Sequence, residues 1–253
     1  MTTTLDVDAV ASPLAGTEPQ WRSEMSVELV KASASDSDVV WAARVSTAGE
    51  QSIEAAGEDP ARSAGLIRYL MRARHGTPFE HTSFTFLVSA PIFVFREFMR
   101  HRTFSYNEES GRYRELKPVF YVPGGDRRLV QQGKPGHYEF VEGTAEQHEL
   151  AVTATKSVCR AAYAAYQDML AAGVAREVAR GVLPVATYSS MYATCNARTL
   201  MNFLSLRTQR PYARFPSYPQ REIEMVAEQM EQHFAELMPI TYEAFSGAGR
   251  VAP

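Results

Sequence analysis

The chain has 253 residues, and 26 Lys and Arg against 29 Asp and Glu leave a formal net charge of −3. With 45% hydrophobic and 22% charged residues it has the composition of a soluble globular protein long enough for one large domain. These figures exclude a globally basic nucleic-acid coat. The longest apolar stretch, 84–95, contains Pro91 and is too short to span a bilayer, and the first ten residues carry Asp6 and Asp8 where a secretory leader needs bases.

Residues 1–23 are rich in Thr, Ala, Pro and Gly with little apolar periodicity, and read as a flexible extension ahead of a single domain over 24–253. Residues 27–30 suit a short first strand, and Ser35 or Asp36 is placed to cap a helix through Trp41 and Ala43. Asp59 caps a firmer helix with Pro60 in its first turn, a stripe of Leu66, Ile67, Leu70 and Met71, and a stop near Gly76. Phe84, Phe86 and Val88 alternate with Thr85 and Leu87, which predicts a mostly buried strand ended by Pro91. A helix is expected over 92–102 with Phe95, Phe98 and Met99 inward, then a strand within 117–123. The stretch 126–137, with Gly133 and Gly136 inside it and Gly124 and Gly125 before it, reads as loop. The longest helical signal covers 144–172 and stops at Gly173. A short helix over 176–182 ends before Pro184, a Val-, Thr- and Tyr-rich strand occupies 185–195, and helices follow over 198–207 and 219–238. Cys159 and Cys195 are too few for a disulfide framework or a Cys-rich zinc site, and point to a reducing, cytoplasmic setting.

The cations are uneven in kind and in place. Only Lys31, Lys117, Lys134 and Lys156 are Lys; the other 22 are Arg, the fork-shaped donor suited to phosphate and carboxylate. A genome-wide preference for Arg codons explains the ratio but not the clustering. Residues 96–114 hold five Arg against Glu97, Glu108 and Glu109, a net of +2, and 198–221 hold five Arg and no acid, a net of +5. That leaves −10 for the remainder, so the pattern reads as a focused anion site in an acidic shell. The first segment runs Arg100-His101-Arg102-Thr103-Phe104-Ser105-Tyr106-Asn107-Glu108-Glu109-Ser110-Gly111-Arg112. Such a set of donors needs either ligands or acids; the alternative to an anion site is a salt-bridge cluster built on Glu108 and Glu109.

Arg-His-Arg followed by seven residues and Ser resembles the signature of the flavin-dependent thymidylate synthases. Five other blocks resemble that family in the family's order: 43–46 (ARVS), 75–81 (HGTPFEH), 90–93 (APIF), 176–180 (REVAR) and 196–203 (NARTLMNF). The likeness covers roughly 27–245. It implies an α+β fold, a twisted and mainly antiparallel sheet with flanking helices, assembled as a homotetramer with active sites between subunits. It also implies reductive methylation of dUMP to dTMP, with methylenetetrahydrofolate as carbon donor, FAD as hydride carrier and NADPH recharging the flavin. No nucleic-acid or membrane partner is expected.

By the same resemblance, Thr77, Arg100, His101, Arg102, Glu108, Asn196, Arg198 and Asn202 hold FAD. Glu97, Arg100, Glu108, Glu109, Ser110, Gly111, Arg112, Arg180 and Arg207 bind dUMP. Arg207 is the catalytic residue, a guanidinium stabilising charge as the pyrimidine ionises, and His75 lies near flavin and folate. Glu97 stands where many members carry Gln; a carboxylate there can accept from the uracil or ribose but would repel phosphate. Arg198 and Asn202, at i and i+4, share a helix face, and Asn196 also suits a plain helix cap. Ser110 as a nucleophile would need a positioned base, and no Gly-x-Ser-x-Gly surrounds it, so a hydrogen-bonding role is preferred. His75 and His81 lack the spacing of metal ligands, and no metal is expected. Both Cys read as small buried hydrophobes, and the family needs no protein nucleophile. The stretch 208–221 is longer than in compact members and suits either shaping access to folate or NADPH or a subunit contact.

Overall fold

The computed structural model describes Leu14 and residues 16–56, 59–134 and 137–253. A four-stranded antiparallel sheet forms the centre, in the order β2 (Ser26–Ser33), β3 (Ser83–Pro91), β8 (Tyr188–Cys195) and β4 (Ser105–Glu108). β3 and β8 pair along their whole length, from Phe84↔Cys195 to Pro91↔Tyr188, and β4 adds Ser105↔Thr194 through Glu108↔Met191. Alternation puts Phe84, Phe86, Val88 and Ala90 of β3 on the same face as Met191, Ala193 and Cys195 of β8, all buried. The opposite face carries Thr85, Leu87, Ser89, Tyr192 and Thr194, where Thr85 and Thr194 hydroxyls meet at 3.0 Å.

Helices cover the apolar face. α1 (Asp36–Ala48) starts at Ser35, whose N–H donates to Asp38 at 2.7 Å, and a short α2 (Ser52–Ala56) follows. α3 (Pro60–Ala73) is capped by Asp59, which accepts from Ala61 and Arg62 N–H. α7 (Ala197–Arg207), α8 (Arg221–Leu237) and α9 (Pro239–Gly247) complete the layer, burying Leu200, Phe203, Leu204, Val226, Met230, Phe234 and Phe245. α5 (Ala145–Ala171) begins at the Thr144 capping box and ends where Gly173 takes φ +80°, a conformation a side chain resists. It lies over a second cluster of Phe120, Cys159, Tyr163, Tyr166 and Ala179. The expected α+β class with a mainly antiparallel sheet is the one the chain adopts.

Four expectations change. The extension read as flexible through residue 23 is ordered at its end: β1 (Gln20–Arg22) pairs in parallel with β5 (Val119–Tyr121), and its earlier part, 1–13, lies outside the described residues. The anchor is Trp21, 5.8 Å from Phe120 and under the cations of Lys156 and Arg160. The loop expected over 126–137 contains β6 (Val130–Lys134) and runs into β7 (His137–Val141), which pair antiparallel from Val130↔Val141 to Lys134↔His137. α4 (Ile92–Phe98) is shorter than expected, and Met99 is 41% exposed rather than inward, because the chain reverses there to enter β4. The helix expected over 176–182 divides into α6 (Arg176–Ala179) and a 3₁₀ turn over Arg180–Val182.

Candidate active site

The signature lies in the reversal between α4 and β4. Arg100 N–H donates to Glu97 O (3.2 Å), His101 N–H to Phe98 O (3.0 Å) and Phe104 N–H to His101 O (3.2 Å), a run of tight three-residue turns. Tyr106 from β4 donates its hydroxyl to both Phe98 O (2.7 Å) and His101 O (2.9 Å), satisfying carbonyls that a helix end leaves open. Phe203 of α7 stacks on Phe98 at 4.6 Å and meets the His101 ring edge-on at 4.8 Å. The turn is therefore fixed by packing from two elements distant in sequence.

Arg207, the last residue of α7, reaches into this turn. Its Nε donates to His101 Nε2 at 2.9 Å and its Nη1 pairs with Glu97 Oε2 at 2.9 Å. Burial, then the neighbouring Arg207 charge, pushes the His101 imidazole down to about 4. It is neutral at pH 7, with Nε2 accepting and the proton on Nδ1. Glu97, expected at the nucleotide, here has its carboxylate engaged by Arg207.

A second group forms beyond β4. Burial raises the Glu108 carboxyl above its ordinary value, with Glu109 adding and Ser189 and Arg180 partly offsetting. Glu109 pairs with Arg114 at 3.0 Å, and Arg112 reaches Glu177 of α6 at 2.9 Å. Ser110 Oγ accepts from Arg112 N–H at 3.3 Å. Gly111 packs so tightly that a Cβ would stand 3.1 Å from Leu116 and 3.2 Å from Arg180 Cδ, which brings Arg180 beside the signature. A cavity of about 860 Å³ opens at Glu108, Glu109 and Ser110.

The third group gathers at the start of α7. Asn196 does serve as a cap, accepting from Thr199 N–H at 2.9 Å. Arg198 donates to Pro253 O (2.7 Å) and pairs with Glu80, while Arg74 donates to Ala252 O (3.1 Å). Asn202 and Thr77 are exposed. His75 is exposed and stacks on Tyr69 at 5.9 Å, and His81 meets Trp41 edge-on at 5.7 Å. Among the described residues no group of three or more His, Cys, Asp or Glu is arranged to hold a metal ion.

The ion pairs redistribute the charge reading. Four of the five arginines in 198–221 are matched by acids from elsewhere: Arg198 by Glu80, Arg207 by Glu97, Arg210 by Glu228 and Glu231, Arg221 by Glu224 and Glu228. Most of the charge of that acid-free stretch is therefore matched by ion pairs, those of Arg210 and Arg221 being with glutamates of α8. Arg100 and Arg102, by contrast, are exposed and have no carboxylate within 4 Å among the described residues. Free guanidinium capacity therefore sits in the signature. Sequence reasoning missed Tyr106 and Phe203 as the supports of that turn. The Phe-x-Tyr alternation at 104–106 was the available signal for Tyr106. Both Cys are buried, and burial raises each thiol, Cys195 far above its ordinary value.

Residues 28–240 match the thymidylate synthase complementing protein family. A flavin-dependent thymidylate synthase of Streptomyces avermitilis is 68% identical over 243 residues, 96% of this chain and 99% of the relative. One from Tropheryma whipplei is 59% identical over 93% of this chain and 98% of the relative. Among solved structures, the UMP/dUMP methylase PolB of Streptomyces cacaoi bound with 5-Br dUMP superposes with a TM-score of 0.88 at 59% identity, covering 92% of this chain and 100% of that one. A second structure of that protein is bound with 5-Br UMP, with a TM-score of 0.87. With a family match over 28–240 and relatives aligned over nearly their full length, the chain belongs to the flavin-dependent thymidylate synthase family.

Proposed function

We propose that this chain converts dUMP to dTMP in the cytoplasm, with methylenetetrahydrofolate as carbon donor, FAD as its flavin and NADPH as the reductant. Its working form is a homotetramer with shared active sites. The observation that carries this reading is Arg207 hydrogen-bonded to His101 of the signature and ion-paired with Glu97. A guanidinium fixed in advance supports stabilisation of the charge that develops on a uracil ring as N3 loses its proton. The fit to a dinucleotide is supported by exposed Arg100 and Arg102, cations without acid partners among the described residues that suit a diphosphate, with charged hydrogen bonds contributing about 1.5–3 kcal/mol each. Arg198 and Asn202, one turn apart on α7, would extend that grip, and Thr77 and His75 would border it.

When bound, the reduced flavin supplies the hydride and mediates carbon transfer. The chain's own residues bind and orient. Ser110, Gly111, Arg112 and Arg180 would hold the nucleotide, with Gly111 letting backbone approach it closely. Glu108, its carboxyl raised above the ordinary value chiefly by burial, can accept from ribose or base. His101, neutral and held by Arg207, presents an Nδ1 proton. The two buried thiols are poor nucleophiles, which supports a route without a covalent protein–uracil adduct.

The test is dUMP-dependent tritium release from uracil C5, together with a flavin spectrum that bleaches with NADPH. Arg207→Ala is expected to lose turnover at least ~100-fold while flavin stays bound. Loss of flavin instead would move Arg207 to a cofactor role. A second acceptor, UMP, is favoured by the likeness to a methylase bound with both UMP and dUMP analogues. Comparing UMP, dUMP and uracil in RNA as acceptors separates these readings.

A further inference from the structure

The cavity at Glu108, Glu109 and Ser110 has a wall that the family resemblance leaves without a role. Its volume, about 860 Å³, lies toward the upper end of the roughly 300–1,000 Å³ typical of small-molecule sites. One side is built from the N-terminal segment: Leu14, Thr17, Gln20 and Arg22. The strand geometry of β1 explains why. Trp21 turns toward Phe120 and α5, so its neighbours Gln20 and Arg22 turn together to the cavity. Parallel pairing of Gln20 with Val119 and Arg22 with Tyr121 holds them there.

Arg22 lies with its guanidinium over the Tyr188 ring at 4.8 Å, which leaves its N–H edges open. Lys117 lines the same cavity. Neither cation has a carboxylate within 4 Å among the described residues. Of the acids nearby, Glu109 is taken by Arg114, burial raises Glu108, and exposed Glu24 feels the Arg22 charge without forming an ion pair with it. Ser189 lines the cavity, is 4% exposed and lies against Glu108, whose charged form it favours. Exposed Tyr113 and Tyr192 offer flat aromatic surface at the rim. Arg22 is half-buried with no ion pair among the described residues, so its donors are available to an anion, and exposed Lys117 adds charge at the same wall.

We propose that Arg22 and Lys117 form an anion anchor, completed by the N-terminal strand, for a substrate of this site. The anion is the phosphate of the pyrimidine nucleotide or the glutamate carboxylates of the folate, two sources of one chemistry. This rests on the reading of the site given above. Arg22 is a binding residue in this role, and the N-terminal segment is part of the site rather than an appendage to it.

The experiment is steady-state kinetics of Arg22→Gln in the full-length, flavin-loaded enzyme, with dUMP and methylenetetrahydrofolate varied separately. One KM rises about tenfold while kcat stays within about twofold and flavin content is unchanged. A rise for dUMP assigns the phosphate; a rise for the folate assigns the carboxylates. Arg22→Lys, which keeps the charge, recovers most of the loss, and Lys117→Gln shifts the same substrate by a smaller factor. Both KM values unchanged in Arg22→Gln, or a fall in kcat alone, overturns the anchor. Should Arg22→Gln fail to fold, exposed Lys117→Gln carries the test by the same criterion. If the wild-type enzyme shows no dUMP turnover, the functional reading fails instead. The anchor is then judged by direct titration of dUMP and folate into wild type and variant, where equal affinities overturn it.

Discussion

An imidazole that accepts from a guanidinium makes the protein's stability depend on pH in a defined direction. His101 Nε2 lies 2.9 Å from Arg207 Nε, edge-on to Phe203 and half-buried. An imidazolium there would lose water and face a like charge, and the group is pushed down from 6.5 to about 4. Between those values the unfolded chain binds a proton that the folded chain refuses. Stability from this group is complete above about pH 6.5 and is lost as pH falls toward 4. The full gap corresponds to at most ~3.4 kcal/mol, and partial exposure reduces that to about 1–2 kcal/mol. Urea unfolding of the flavin-free protein at pH 7.5 and pH 5 measures it. His101→Gln keeps an acceptor for Arg207 but does not titrate, so it should lose about 1 kcal/mol less than wild type across that interval. The His101 ring proton, followed by NMR, should titrate near 4. A midpoint at or above 6.5, or equal pH slopes for the two proteins, would refute the reasoning.

Other outcomes follow from the same contacts. Gly76→Ala places a Cβ 2.5 Å from the Arg198 guanidinium and 2.8 Å from Pro253 O. Arg198 must swing away and the Pro253 backbone must shift, so flavin affinity, read by fluorescence titration, should fall about tenfold, or ~1.4 kcal/mol. Arg250, 2% exposed, binds Glu231 and donates to Thr208 Oγ1 at 2.7 Å. Arg250→Ala leaves Glu231 with Arg210 and Tyr242 alone, and should cost about 3 kcal/mol of unfolding free energy by urea titration. Cys195→Ala should keep tritium-release activity within about threefold, since burial holds that thiol protonated; its abolition would reopen a covalent route.

Much of the fold could be read from local pattern. The β3 alternation, the Asp59–Pro60 start of α3 and the Thr144-to-Gly173 span of α5 each stand on residues within a turn or two of one another, and each is found where expected. The hairpin over β6 and β7 was hidden because its glycines are the same signal as a loop; only cross-strand pairing distinguishes the two. β1 was hidden for a similar reason. Three residues carry no periodicity, and Gln20–Arg22 becomes a strand through its pairing with Val119–Tyr121, about a hundred residues away.

The candidate site divides the same way. The sequence alone determined the family, through the spacing of Arg100, His101, Arg102 and Ser110 and the ordered blocks around it, and with the family the expected chemistry. It also showed that cations concentrate in two segments. Which of them are free for a ligand was decided by the tertiary structure, because ion pairing depends on distance in space and not along the chain. The acid-free stretch 198–221, the stronger signal in sequence, is largely neutralised by Glu80, Glu97, Glu224, Glu228 and Glu231. The weaker segment, tempered by its own glutamates, keeps Arg100 and Arg102 open. Glu97 shows the point at a single residue: next to the signature in sequence, its carboxylate is fixed by Arg207, which folding brings from 110 positions away.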